Sequence, residues 1–278
     1  MAEGVFSKLE ESLQKALEER EWTPTPVQHV TQDDIAAGRD RLVVAPTGSG
    51  KTMAAILPLL DRCLRQKWTG MSILYITPLR ALNRDVDRRL EEITSAVGLS
   101  LGLRHGDTPQ SERNRHVRKP PNVMITTPET FQLMFTGSKL RELLRTVKAV
   151  VIDEIHEIAD GERGWQLSVG LSRLETFKGS KIQRIGLSAT IGNPEQVAKW
   201  LSIDAKPIVA ITPRSTELSV DAIVQIPEDE IGSLELAISP RAHATLRGLA
   251  DIISKKHPCL IFVNSRNSAE TVSQRLQA

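Results

Sequence analysis

Apolar positions along this chain recur in two rhythms. Short, unbroken apolar runs fall at Leu42–Ala45, Ser72–Ile76, Ser100–Arg104, Val123–Thr126, Ala149–Ile152 and Ile185–Ser188. Runs of this length without polar alternation suit strands covered on both faces, as in a parallel sheet. Between them lie longer stretches, including Lys51–Gln66, Leu79–Val97 and Trp165–Phe177, whose apolar positions repeat at helical spacing. Strand and helix in alternation predict an α/β fold, a doubly wound parallel sheet with helices on both faces and right-handed crossovers. Ahead of it, Val5 to Arg20 predicts one amphipathic helix, with Leu9, Leu13 and Leu17 four residues apart. The two prolines of "EWTPTPVQ" break it.

The rhythm changes after residue 205. "PIVAITPRS" and "LSVDAIVQIP" predict β-rich segments, and the acidic "PEDEIGSLELAISP" predicts a loop. "RAHATLRGLADIISKKH" predicts a helix, "CLIFVNS" a buried strand and "RNSAETVSQRLQA" another helix. That is the opening of a second α/β domain, and one strand with two helices is too little to bury a core of ordinary size.

Composition narrows the function. The 278 residues are 40% hydrophobic and 25% charged, ordinary for a soluble globular protein. No apolar run approaches the roughly 20 residues that span a bilayer. The acidic amphipathic N-terminus lacks the basic start and apolar block of a signal peptide, so a cytoplasmic protein with no membrane partner is expected. Cys63 and Cys259 lie far apart, without metal-like spacing, and read as reduced thiols. Net charge is only +2, from 36 basic and 34 acidic residues, and aromatic residues make up 4%. A polyanion would therefore be gripped by its backbone along a local groove, with no broad base-stacking platform.

"APTGSGKT" follows the first apolar run and opens a helix. It fits the G-x-x-x-x-G-K-[ST] phosphate loop except at its first position, where Ala45 stands for Gly. Gly48 and Gly50 allow positive φ, so that the N–H groups of Thr47, Gly48, Ser49 and Gly50 turn inward and form an anion nest at a helix N-terminus. Lys51 is placed for the β- and γ-phosphates and the Thr52 hydroxyl for Mg²⁺. The cation also needs a carboxylate at the carboxyl end of another strand. "AVVIDEIHEIAD" supplies Asp153 for Mg²⁺ and Glu154 to orient and deprotonate an attacking water. An acidic pair after a strand also suits a helix N-terminus for electrostatic reasons alone; its order after the phosphate loop favours the catalytic reading.

Further motifs follow the loop in order: "TPLRAL" at Thr77–Leu82, "TTPET" at Thr126–Thr130, "DEIH" at Asp153–His156 and "SAT" at Ser188–Thr190. The set resembles superfamily-two nucleic-acid helicases of the DEAD/DEAH kind. "RHGDTPQSER", "ITTPETFQLM" and "IGLSATIGNPEQVAKWL" look most like the large helicase-related (Lhr) group, with Ski-type helicases next. The resemblance runs from about Phe6 to the C-terminus and implies a RecA-like sheet.

It also implies roles. Gln28 resembles the adenine-reading glutamine of the Q motif, its amide suited to adenine's N6/N7 edge. His156 is implied to link the γ-phosphate to a motor-coupling trio, Ser188, Ala189 and Thr190. Thr77, Pro78 and Arg80, with Thr127, Pro128 and Glu129, are implied to hold the sugar–phosphate backbone without reading sequence. Arg104 and His105 form a turn near that strand, beside the basic cluster Arg113, Arg115, Arg118 and Lys119. Asn264, Ser265 and Arg266 resemble the first strand-gripping motif of a second motor domain.

The organisation so implied is residues 1–36 as an N-terminal helix and Q-motif-like segment, 37–226 as a first RecA-like domain, 227–239 as a linker and 240–278 as the truncated start of a second RecA-like domain. The expected function is the N-terminal motor domain of an ATP-dependent helicase moving 3′ to 5′, with DNA repair as its setting. Its expected ligands are ATP, Mg²⁺ and single-stranded or forked nucleic acid, DNA before RNA or hybrid. The motifs bearing the arginine fingers would follow further on. A monomer with weak hydrolysis and no unwinding by these residues alone is therefore expected. The alternative is a nucleotide-gated binding module for nucleic acid or protein, without motor activity.

Overall fold

The computed structural model describes residues 4–78, 84–159, 161–189, 191–210, 239–255 and 259–277. They fall into two compact units, residues 1–214 and 215–278. In the first, β1 (Arg41–Val44), β2 (Ile73–Ile76), β3 (Leu101–Arg104), β4 (Val123–Thr126), β5 (Ala149–Ile152), β6 (Gln183–Ser188) and β7 (Lys206–Val209) form one sheet. It has seven strands in the order β3-β4-β2-β5-β6-β1-β7, and every pairing is parallel. β1, β2, β4 and β5 are buried at every position, which is why they read as continuous apolar runs.

Side chains alternate between the two faces. Val43, Ile73, Tyr75, Ile125 and Val151 meet α3 (Lys51–Arg65) and the N-terminal helices in one apolar cluster. Leu42, Val44, Leu74, Ile76, Val150 and Ile152 meet α6 (Pro128–Leu133), α8 (Glu162–Lys178) and α9 (Pro194–Leu201) in the other. The remaining helices of this unit are α1 (Glu11–Glu18), α2 (Pro26–Ala36), α4 (Arg84–Ala96), α5 (Gln110–Arg118) and α7 (Ser138–Leu144). Among the described residues no helix is long and apolar enough to cross a membrane. Cys63 is buried, and burial pushes its thiol up to about 11, so it packs as a small apolar group.

Two expectations are corrected. Val5 to Arg20 is not one helix: a 3₁₀ turn at Phe6–Lys8 stops at Leu9, and Glu10 caps α1, its carboxylate accepting from the Ser12 N–H at 2.9 Å. Glu10 is drawn out of helical geometry because its own N–H donates to the buried Asp61 of α3. The four-residue spacing survives the break, since Leu9, Leu13 and Leu17 are all buried. In the second unit, α10 (Pro240–Lys255) and α11 (Arg266–Gln277) stand as expected. "CLIFVNS", residues 259–265, is not a buried strand: it carries no strand pairing, with Leu260 78% and Phe262 86% exposed. An apolar run becomes a strand only where neighbouring strands pair with it, and none of the described residues of this unit supplies one. The expected β-rich "LSVDAIVQIP" and most of the expected linker at 227–239 lie outside the described residues.

The N-terminal helix is thus part of the first core. Leu13→Ala is expected to destabilise the chain by about 2–5 kcal/mol, the cost of a core cavity, measured by urea unfolding. A loss under about 0.5 kcal/mol, as at an ordinary surface position, would detach that helix from the fold.

Candidate functional site

Parallel pairing sends the carboxyl end of every strand to one edge, and the phosphate loop, the acidic pair and the Thr77, Thr127 and Ser188 motifs begin there. From β1 the chain passes to Ala45, whose N–H donates to the Ser188 carbonyl at 3.1 Å. Gly48 and Gly50 follow with φ of +78° and +92°. A Cβ on Gly50 would also lie 2.8 Å from Gln28 Nε2 and 2.9 Å from Thr25 Oγ1, so this glycine is required both by its backbone and by its neighbours. Thr47 and Ser49 complete the loop, and the Ser49 hydroxyl is buried without a partner.

Lys51 and Thr52 open α3. Lys51 is 7% exposed, and its ammonium donates to the carbonyls of Ala45 at 2.8 Å and Pro46 at 3.1 Å. Gln28 is a buried residue, not a solvent-facing one. Its Oε1 accepts from the Thr25 N–H at 3.0 Å, and its amide donates to the Gly50 carbonyl at 3.4 Å. This fastens α2 to the phosphate loop and leaves one amide hydrogen and one carbonyl lone pair uncommitted.

Asp153 and Glu154 leave β5 on the same edge. Asp153 is 7% exposed; its Oδ1 accepts from the Glu154 N–H at 2.9 Å and its Oδ2 from the Tyr75 hydroxyl at 2.5 Å. Burial raises its pKa above the ordinary value, against those hydrogen bonds and the Lys51 charge. Burial, and then the charge of Asp153, raises Glu154 as well, while Lys51 pulls it down. Glu154 has φ +46° and ψ +45°, a left-handed conformation that costs a residue with a Cβ about 1–2 kcal/mol and that clusters at functional sites. His156, in the 3₁₀ turn that follows, places Nδ1 3.0 Å from the Ser188 hydroxyl and 3.5 Å from Glu154 Oε2. Ala189 is half-buried beside Ser188, and Thr190 lies outside the described residues.

This donor set fits a magnesium–nucleoside triphosphate. Among the described residues no three His, Cys, Asp or Glu side chains could hold a metal by themselves. One carboxylate and one hydroxyl are what Mg²⁺ takes from protein when phosphates and water complete its shell.

The strand-gripping motifs share the edge. Thr77 follows β2 and donates its N–H to the Thr126 carbonyl at 3.0 Å; Pro78 comes next, and Arg80 lies outside the described residues. Thr127 follows β4 and caps α6 at the Thr130 N–H, with Pro128 at the first helical position. Glu129 points to solvent and holds Arg163 of α8, with Nη2 at 2.7 Å. The sequence reading missed Arg163, which stands far from the motif that fixes it.

At the end of β3, Arg104 is only 7% exposed; its guanidinium donates to the Arg113 carbonyl at 3.3 Å. Arg113 in turn donates to the carbonyls of Thr108, His105 and Gly106, so it braces the turn. His105 is half-buried there, its Nδ1 accepting from the Asp107 N–H. Asn264, Ser265 and Arg266 are exposed in the second unit, where Ser265 Oγ accepts from the Ser268 N–H at the start of α11. A cavity of about 660 Å³ lies at the opposite edge of the sheet, among Arg62, Lys148, Lys178 and Lys206, and shares no residue with the phosphate loop.

Comparison with known proteins agrees with this arrangement. The profile of the DEAD/DEAH box helicase family matches residues 25–197. The chain is similar to the Lhr helicase/probable uracil glycosylase of Mycolicibacterium smegmatis, with 37% identity over 92% of this chain and 18% of that protein. It is equally similar to the ATP-dependent helicase Lhr-Core of Methanothermobacter thermautotrophicus, at 37% identity over 91% of this chain and 31% of that protein. A solved structure of Mycobacterium smegmatis helicase Lhr bound to ssDNA and AMP-PNP superposes with a TM-score of 0.79 at 35% identity, covering 98% of this chain and 36% of that one. The chain thus spans between about a fifth and a third of the curated relatives it matches.

The strain at Glu154 can be measured directly. Glu154→Gly is expected to be more stable to urea than Glu154→Gln by about 1 kcal/mol, since both remove the carboxylate and only glycine relieves the backbone. Equal stabilities would mean that the left-handed conformation costs nothing here.

Proposed function

Because the chain belongs to the DEAD/DEAH box helicase family, we propose that it is the nucleotide-binding first motor domain of an Lhr-like, ATP-dependent nucleic-acid helicase. One observation carries this reading: contacts tie the phosphate loop to the acidic pair at one rim of the sheet, from the Ala45 N–H to the Ser188 carbonyl, from the Ser188 hydroxyl to His156 and from His156 to Glu154, beside an anion nest at the start of α3. A buried lysine that draws two raised carboxylates toward ionisation, next to inward-turned backbone amides, matches what phosphates and a divalent cation require.

Each residue then has a task. The loop amides hold the β-phosphate. Lys51 exchanges two backbone carbonyls for phosphate oxygens. Thr52 and Asp153 would hold Mg²⁺, which when bound neutralises charge on the phosphates. Glu154 orients a water and takes its proton; its raised pKa makes it a better proton acceptor than an ordinary carboxylate. Gln28 offers its remaining hydrogen and lone pair to adenine's N7 and N6 edge, which favours ATP over GTP. The His156–Ser188 hydrogen bond joins the carboxylate cluster to the end of β6, next to the loop that leaves β1, and with Ala189 and Thr190 it couples nucleotide state to movement.

Thr77, Pro78, Thr127 and Pro128 stand at the ends of two adjacent strands and suit contacts to a sugar–phosphate backbone, with Arg163 held by Glu129 beside them. Arg80 and His105, and in the second unit Asn264, Ser265 and Arg266, are further backbone contacts in our proposal, while Arg104, buried against the Arg113 carbonyl, shapes the turn that carries His105. The same reading gives a cytoplasmic monomer that acts in DNA repair, moves 3′ to 5′ and prefers DNA. The preference for DNA rests on similarity to a helicase whose structure was solved with ssDNA. Taken by themselves, these residues hydrolyse ATP slowly and do not unwind a duplex, because arginine from a partner motor domain stabilises transition-state charge in such enzymes by about 10³–10⁵-fold. The proposed division follows the motifs: 1–36 leads in and packs into the first core, 37–226 is the first motor domain, 227–239 links, and 240–278 begins the second.

Calorimetry with ADP in magnesium buffer tests the reading. Uptake is expected, and Lys51→Ala is expected to weaken it about 10–100-fold, the loss of charge-assisted hydrogen bonds worth about 1.5–3 kcal/mol. Absence of uptake by the unaltered chain would overturn the proposal. Robust turnover stimulated by single strands would overturn the slow-hydrolysis part alone. Matched DNA and RNA single strands at fixed salt, with and without a non-hydrolysable ATP analogue, decide the substrate and whether binding is gated by nucleotide.

A further inference from the structure

The chain has a single tyrosine, Tyr75, and it lies wholly inside the protein on β2. Its neighbours explain why a phenol stands there in place of another aliphatic side chain. Tyr75 pairs with Val151 across the β2–β5 ladder, and both belong to the apolar cluster that α3 covers. By strand alternation Asp153, two residues beyond Val151, continues on that face. The phenol therefore runs up between sheet and helix toward the strand ends, and its hydroxyl donates to Asp153 Oδ2 at 2.5 Å. The Thr52 side chain stands beside the same hydroxyl.

The proton inventory fixes the direction of that bond. A tyrosine hydroxyl has one hydrogen. Asp153 as a carboxylate can only accept, so that hydrogen goes to Oδ2. With its hydrogen spent, the phenol can meet the Thr52 hydroxyl beside it only as an acceptor, so it cannot compete for the lone pairs by which threonine would hold a metal. Asp153 is fixed from the other side as well, because Oδ1 accepts from the Glu154 N–H. One phenol thus fixes Asp153 and stands beside Thr52, the two protein groups that the nucleotide site would offer a cation.

We propose that Tyr75 is a positioning residue for the divalent cation, holding Asp153 in ligand orientation beside Thr52 before any nucleotide arrives. This rests on the nucleotide reading of the site. It adds that the sheet carries part of the cation specificity through a residue that touches neither phosphate nor metal. Groups that orient metal ligands from behind typically change metal affinity by about 10–100-fold when removed.

The test separates the cation from the nucleotide. ADP affinity is measured by calorimetry in magnesium and in EDTA, for the unaltered chain and for Tyr75→Phe, which keeps the ring and removes the hydroxyl. The magnesium-dependent gain in affinity is expected to fall about tenfold or more in Tyr75→Phe, with the EDTA value unchanged. A residue that merely packs would weaken ADP equally in both buffers, and that result, or an unchanged magnesium gain, overturns the proposal. A second measurement uses the unaltered chain. With one tyrosine, ¹³Cζ-tyrosine labelling gives one resonance, expected to move when magnesium is added to the ADP-bound protein. If ADP binds in magnesium and the resonance stays still, Tyr75 does not sense the cation and the proposal fails while the nucleotide reading stands. If ADP does not bind in either buffer, both fail together.

Discussion

Because β1 pairs in parallel with β6 and β7, and β5 in parallel with β2 and β6, every strand delivers its carboxyl end to one edge of the sheet. Parallel strands need covering helices, and at that edge polar backbone and charged side chains gather in the turns that lead into those helices. The phosphate loop, the acidic pair, the Ser188 segment and the Thr77 and Thr127 turns are therefore neighbours by topology before any of them is a neighbour by chemistry. Strand alternation adds a second constraint. It puts Tyr75 and Asp153 on the face that α3 covers, so the helix that begins with Lys51 and Thr52 starts beside them.

The edge has an electrostatic cost that the protein only partly offsets. Two carboxylates sit side by side, and burial lifts both above their ordinary pKa values. Lys51 opposes this while also donating to two neutral carbonyls. Ionised, the pair disfavours the fold more as pH rises, because the folded chain holds its protons more tightly than the unfolded chain does. The strained backbone at Glu154 adds to the cost. A site organised this way gains from a ligand that brings its own cation and accepts the lysine's hydrogens, and so stabilises the folded state by mass action.

Much of this was readable from the chain because its strongest signals are local. The buried strands betray themselves as apolar runs; β4 and β5 match their predicted bounds, and the phosphate loop carries its spacing in eight consecutive residues. What escaped depends on contacts distant in sequence. The break at Leu9–Glu10 comes from a hydrogen bond to Asp61. The exposed run at 259–265 finds among the described residues none of the pairing strands that an apolar pattern takes for granted. Arg104 and Arg163 carry the same charge, yet one is folded onto a carbonyl and the other held at the surface by Glu129. Nothing in the local sequence distinguishes them.

Tyr75 shows why such residues hide. Inside Ile73–Ile76 it counts as one more bulky apolar position, and packing alone would accept phenylalanine. Its hydroxyl changes the reading only once Asp153 is known to stand two places beyond its cross-strand neighbour. A buried phenol needs a partner for its proton, because an unpaired hydroxyl in such a core costs about 1–3 kcal/mol. The partner comes from the sheet's own edge, two places beyond the cross-strand neighbour. The hydrogen bond that satisfies the core is then the bond that holds Asp153, so that in our proposal burial of the phenol and cation geometry draw on one interaction.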